Sequence, residues 1–247
     1  MTRLVTAVQD RILKILNTYD RLTREQVNRA LGYKPSTVTT TWGHLKKLQD
    51  NGLVETVSVD LNPSKFSAPT KVYFVSNLGR KYLRSLGVET PDRKKIKEAE
   101  GDLSMFFWRH ALAVNDFMIS CALWERQNPD VEIIGVLNDI DIRRDPGFPI
   151  EGYSPDGWLQ FSYKGKEHTI CLELERGVYA DKRWITKLER MERFSQVVDA
   201  ENLVFLVIAM SGESHVKQLQ RLTQNKKIII TGKDPTDLTI FEILIKD

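Results

Sequence analysis

At Asn51-Gly52 the hydrophobic rhythm of the chain switches from helical spacing to strict alternation. Upstream, apolar residues recur every three or four positions, the period of helices that bury one face. Leu4, Val8, Ile12, Ile15 and Leu16 mark a first helix over residues 4–17. Thr23-Arg24-Glu25-Gln26 reads as a capping box that opens a second, short helix ending at Gly32. After the turn Gly32-Tyr33-Lys34-Pro35, Ser36 caps a third helix with an inward face of Val38, Trp42, Leu45 and Leu48. Asn51-Gly52 ends it as a left-handed terminal residue would. Downstream, Leu53 to Val59 alternates like a strand, and Lys71 to Val75 is a second strand. A polar loop from Asp60 to Thr70 joins them, and Leu78 to Leu86 is a further helix starting at Ser76 or Asn77.

Three helices with a short turn before the third match a helix-turn-helix, and two strands with their loop make a wing. Residues 5–87 therefore resemble the winged-helix family, with Leu48-Gln49-Asp50-Asn51-Gly52-Leu53-Val54 as the exit from its third helix. The resemblance implies that this helix enters the major groove of duplex DNA. Ser36 at its start and Thr37, Thr40, Thr41, His44 and Lys47 on its outward side are the candidate DNA contacts. Lys65 in the wing loop and Lys71 at the wing edge join them, since hydroxyls and ammonium groups suit phosphates and base edges. His44 reads as a surface residue, because no other metal-ligand type sits at helical spacing from it. Charge favours nucleic acid over a module used for protein contacts. Residues 1–100 carry 18 Lys+Arg against 10 Asp+Glu, a net of +8, and residues 101–247 carry 18 against 23, a net of −5. Winged-helix proteins often act as dimers, so a homodimer is compatible with the reading.

A basic, apolar-poor stretch with Thr90-Pro91-Asp92 and Arg93-Lys94-Lys95-Ile96-Lys97 separates the two halves. The expected organisation is thus two domains of α+β class: a winged helix-turn-helix at 1–87, a basic linker at 88–102 and a second domain at 103–247. Leu103 to Gln127 is a long apolar helix, Val131 to Val136 a strand and Asp139 to Gly152 a loop turning at Asp145-Pro146-Gly147. Strands at 157–163 and 167–174 flank the turn Lys164-Gly165-Lys166. A helix at 182–198 has Trp184, Leu188, Met191 and Phe194 as its spine, and Leu203 to Ile208 is a fully apolar central strand. A helix at 214–222 and the apolar runs 228–230 and 240–245 close the chain.

Pro155-Asp156 starts the second of these strands, and Glu173-Leu174-Glu175 ends the third. Residues two apart share a strand face, so Glu173 and Glu175 point the same way and Asp156 can lie beside them. Three converging carboxylates need a cation or a basic group, and oxygen-only ligands suit magnesium or manganese. The other reading is an exposed strand face paired with Arg176 and Lys164. Cys171, between Ile170 and Leu172, reads as a small buried residue, and His110 as a hydrogen-bonded core histidine. Asp116 would add an acid or face solvent.

Residues 103–208 resemble the PD-(D/E)xK nuclease superfamily, an α/β mixed sheet flanked by helices, with Pro155-Asp156 and Glu173 in its motif positions. The resemblance implies that Asp156 and Glu173 hold a divalent ion while a lysine two positions on activates water. That slot is Glu175 here, so the basic group would come from Lys182 or Lys187, only one of which can point inward. End to end, the chain resembles the replication-relaxation family of plasmid and mobile-element proteins. The carriers are the winged helix, His110-Ala111-Leu112-Ala113-Val114-Asn115-Asp116, Ser154-Pro155-Asp156-Gly157, Leu172-Glu173-Leu174-Glu175-Arg176-Gly177 and Lys187. This implies plasmid replication, copy control or mobilisation, with double-stranded DNA and a replication or mobilisation protein as partners. A Mg2+-dependent endonuclease or nickase, a non-catalytic DNA-binding regulator with an inactive nuclease fold, and an assembly module all fit. No stretch nears the roughly 18–20 apolar residues that cross a bilayer, and the N-terminus lacks signal-peptide character. Cys121 and Cys171 are too few for a disulfide framework, so a cytoplasmic, membrane-free protein is expected.

Overall fold

A computed structural model describes residues 5–61, 68–90, 105–144, 148, 152–177, 181–198, 200, 202–225 and 227–245. It is α+β, with helices and two sheets. The chain divides into two compact units, residues 1–115 and 116–247. Most of the expected linker at 88–102 lies outside the described residues. The division itself falls within the helix Met105–Gln127.

In the first unit, α1 (Ala7–Tyr19) starts at a capping box in which Thr6 and Gln9 satisfy each other's backbone N–H groups. The two-residue strand β1 (Leu22–Thr23) leads into α2 (Arg24–Ala30), which begins at the expected Thr23/Gln26 capping box. A 3₁₀ turn, Pro35–Thr37, precedes α3 (Val38–Asp50). Ser36 therefore lies inside that turn and does not cap the helix by its side chain. Leu53 N–H reaches back to Leu48 C=O, and Gly52, at φ 70°, takes the left-handed conformation that ends α3.

β2 (Val54–Val59) and β3 (Thr70–Val75) pair antiparallel from Val54↔Val75 to Val59↔Thr70, and β1 adds to β3 at Leu22↔Tyr73. Ser76 caps α4 (Asn77–Ser85) and also donates to Gly52 C=O at 2.6 Å. At Gly79 a Cβ would lie 2.2 Å from Leu53 C=O, so α4 approaches the start of β2 as closely as only glycine permits. The first half of α5 (Met105–Gln127) belongs to this unit: Trp108 and Leu112 pack on Val59 and Val72. Asn115 donates to the carbonyls of Tyr19 and Arg21, and Gln26 donates to that of Leu112.

One face of α3 differs from the expected one. Thr41, Leu45 and Leu48 are the buried stripe, whereas Trp42 is 41% exposed and Val38 is half-buried. Stripes through residue 41 or residue 42 are both helically spaced, and apolarity alone selects Trp42. Asn28 decides otherwise. Its side-chain oxygen, buried on α2, accepts the Thr41 hydroxyl at 2.7 Å and that of Thr37 at 3.2 Å.

The second unit holds a five-stranded sheet in the order β4-β5-β6-β7-β8. The strands are β4 (Val131–Asn138), β5 (Gly157–Tyr163), β6 (Lys166–Glu175), β7 (Leu203–Ala209) and β8 (Ile228–Thr231). The pairs β4·β5 and β5·β6 are antiparallel, while β6·β7 and β7·β8 are parallel. Within the expected 139–152 loop lies a short helix, α6 (Asp139–Arg144), because Asn138 Oδ1 accepts the Asp141 N–H at its start. Helix α7 (Asp181–Val197) crosses from β6 to β7, and α8 (Glu213–Leu222) from β7 to β8. The last apolar run folds as the helix α9 (Thr239–Leu244). Trp184, Met191 and Phe194 of α7 and Leu219 of α8 join Trp158, Cys171 and Phe205 of the sheet in one core. Trp124 of α5 stacks on Phe241 of α9 and meets Phe161 edge-on. Phe161 and Trp158 alternate along β5, so both sheet faces are covered by helices.

Candidate functional site

The acidic residues of β6 are buried, Glu173 at 2% exposure and Glu175 at 4%. An exposed strand face paired with Arg176 and Lys164 is therefore excluded for them. Glu173 and Glu175 share the face of Cys171, which packs under α7. Lys187 of α7 brings its ammonium onto both, pairing with Glu173 Oε2 and Glu175 Oε1. Of the two lysines singled out in the sequence, Lys187 reaches the site and Lys182 stays on the exposed side of α7. The arrangement follows from helix geometry. Trp184, Met191 and Phe194 pin α7 on the sheet, and Lys187 lies one turn from Trp184 and from Met191.

Asp156 sits at the mouth of β5, where its backbone N–H donates to Leu172 C=O at 2.9 Å and its Oδ2 accepts the Leu174 N–H at 2.8 Å. That register sets it across from Glu173. Tyr153, in the approach to β5, donates its hydroxyl to Glu173 Oε1 at 2.5 Å and packs edge-on against Phe194 and Phe205. Tyr153 is a site residue that sequence reasoning passed over. Its only signal was an aromatic close before Asp156.

Burial pushes the Glu173 carboxyl up to about 7; Lys187 opposes the rise and the Asp156 charge adds to it. Burial pulls on Lys187 in the opposite sense, but Glu173, Glu175 and Asp156 outweigh it and hold the amine above its ordinary range. Burial also raises the Tyr153 hydroxyl, which stays a donor at neutral pH. His215 of α8 is buried, and neither ring nitrogen has a hydrogen-bond partner among the described residues. Its pKa is lowered by burial, against the pull of Glu175. Among the described residues no group of three His, Cys, Asp or Glu side chains could hold a metal ion.

On the first unit, Thr40 and Lys47 of α3, Ser36 of the preceding turn and Lys71 of β3 are exposed, and His44 is half-buried. Thr41 is not available for DNA, being fully buried on Asn28. Thr37 is partly spent locally, donating also to Lys34 C=O at 2.7 Å. Lys65 lies outside the described residues. Trp42, expected inside, is outside with the Lys46 ammonium 5.5 Å from its ring centre.

The replication-relaxation family model matches residues 13–207, which takes in both units and every residue of the Asp156, Glu173, Glu175 and Lys187 cluster. The chain belongs to the replication-relaxation family. Membership assigns it a role in replication or mobilisation. No curated protein and no solved structure matches it. Of the family-like phrases in the sequence, the helix phrase 110–116 contributes Leu112 and Val114 to the core and Asn115 to the clasp on Tyr19 and Arg21. Among the described residues no helix is long and apolar enough to cross a membrane.

Proposed function

We propose that this replication-relaxation protein binds double-stranded DNA through a winged helix-turn-helix in residues 1–87. We further propose that a PD-(D/E)xK nuclease-like domain beyond the 88–102 stretch cuts DNA as a metal-dependent endonuclease or nickase. The observation that carries the nuclease reading is the Lys187 ammonium on Glu173 and Glu175, beside Asp156. The strand slot that would carry the superfamily's lysine holds Glu175, and a lysine from the next helix brings its charge to the same acids.

Asp156 and Glu173 are the residues that would hold magnesium or manganese. The donor set fits. Magnesium is commonly held by one or two carboxylates plus water and substrate phosphate. Glu173 keeps a raised proton affinity even with Lys187 against it, so a further cation would relieve an under-compensated acid. A bound divalent ion would supply charge stabilisation at the phosphate and an acidified water. Lys187 donates toward the phosphate or orients the attacking water. Glu175 keeps that ammonium charged and in place, and Tyr153 fixes the rotamer of Glu173.

A second reading rests on the same acids. Both Glu173 oxygens are engaged, one by Tyr153 and one by Lys187. A closed cluster of this kind suits a non-catalytic regulator of replication or transcription that retains the nuclease fold. Cleavage of supercoiled plasmid with magnesium or manganese separates the two. Nicking or linearisation that is lost in Asp156→Ala and Glu173→Ala establishes the nuclease. Silence of the wild type, with DNA still retarded on a gel, favours the regulator. Pull-down of a replication or mobilisation protein and sedimentation of the free chain test the proposed protein partner and homodimer.

A further inference from the structure

Trp42 stands on the solvent side of α3, and the other four tryptophans, Trp108, Trp124, Trp158 and Trp184, are all buried. A tryptophan carries the largest apolar surface of any side chain, and leaving it in water forfeits the burial that Trp42 would gain one helical position over. The position is locked by Asn28, which takes Thr41 into the interior in its place. Around the exposed ring the helix is cationic and hydroxylated. Lys46, one turn on, holds its ammonium over the ring, 5.5 Å from its centre, and Thr39 is exposed on the same side, while Thr40 and Lys47 are exposed farther round the helix. Asp50, at the far end of the helix, is the acid on the exposed side.

An exposed flat ring that already holds one ammonium over its face matches one chemistry closely. Every nucleobase has a π-face that stacks on an indole, and the phosphates flanking that base meet the cations. Thymine methyl groups in an intact groove need only a small apolar contact, and the edge of a paired base leaves no face to stack on. We propose that Trp42 is a stacking platform for an unpaired DNA base, with Lys46 on an adjoining phosphate. The site would give the protein a preference for locally opened DNA over intact duplex. This deepens the DNA-binding reading and rests on it.

The test uses the full chain with three probes: a short duplex, the same duplex with unpaired thymines bulged at its centre, and single-stranded oligo(dT). Tryptophan fluorescence is the readout, because the four buried rings are shielded and stacking quenches the exposed one. The wild type should bind the bulged duplex and oligo(dT) with quenching, and the bulge more tightly than the plain duplex. Trp42→Leu keeps an apolar side chain without the ring. It should melt where the wild type does and lose roughly 5- to 150-fold on the bulge, far more than it loses on plain duplex. Equal binding of bulge and duplex by wild type and variant, without quenching, overturns the stacking site and leaves DNA binding intact. Failure of the wild type to bind any probe removes both readings.

Discussion

Lys187 touches two buried carboxylates, and its removal would leave both without their shared cation. Breaking a buried pair from one side is destabilising, whereas replacing the whole pair by apolar groups often is not. Lys187→Met should therefore lower stability by about 3 kcal/mol at neutral pH. A thermal melt unchanged from wild type would show that the ammonium does not sit there. Glu173 adds a pH dependence whose sign is opposite to that of an ordinary salt-bridged acid. Its folded-state pKa, about 7, lies above that of an unfolded glutamate, so the folded state binds its proton more tightly. The stability that this contributes is complete at acid pH and is lost as pH rises through 7. Glu173→Gln should raise the melting temperature relative to wild type at pH 8 and leave the difference small near pH 4. His215 works the other way. Its pKa is lowered by burial, so stability falls as pH drops below the ordinary histidine range. His215→Leu, which removes two unpartnered ring nitrogens, should stabilise more at pH 5 than at pH 7.5 in parallel thermal melts.

At the scale of elements, α3 and α4 are held by features that act through one atom each. Asn28 joins α2, the turn and α3 by accepting from Thr37 and Thr41 and donating to Lys34 C=O at 2.9 Å. Asn28→Ala leaves the Thr41 hydroxyl buried without that acceptor, at a cost of roughly 1–3 kcal/mol. Its effect on DNA should exceed its effect on the sheet, since it frees the helix that carries Trp42 and Lys47. Gly79→Ala forces α4 away from Leu53 C=O and should lower the melting temperature, with a penalty of about 1–3 kcal/mol. These elements were legible to different degrees. The capping box at Thr23, the end of α3 at Gly52 and the β2·β3 ribbon stand in the chain order. The buried stripe of α3 does not, because a threonine can replace a tryptophan inside only when a partner such as Asn28 waits for its hydroxyl. The helix at 139–144 is similar: its cap, Asn138, is the last residue of a strand.

For the molecule as a whole, the basic N-terminal hundred residues and the acidic remainder predict that DNA affinity resides in the first unit and depends steeply on salt. Lys47→Gln and Lys71→Gln should each weaken binding to all duplex sequences about equally. Each should also reduce the slope of log affinity against log salt by roughly one. A gel-shift titration at several salt concentrations reads both numbers, and unchanged slopes would move the interface elsewhere. Asp156→Ala should leave this slope in place, because it lies in the second unit.

Local patterning by itself determined most of the helices and strands, the basic-to-acidic asymmetry and the shared face of Glu173 and Glu175, and short residue phrases pointed to the family. The elements, the asymmetry and the shared face depend on period, capping and charge, which neighbours in the chain settle among themselves. Tertiary structure alone decided that Lys187 and not Lys182 meets the acids, since that depends on which face of α7 Trp184, Met191 and Phe194 press against the sheet. It also put Tyr153 on Glu173 and turned Trp42 to solvent. In each case a residue distant in sequence supplies a hydrogen bond or a packing surface, and spacing along the chain carries no record of such a partner.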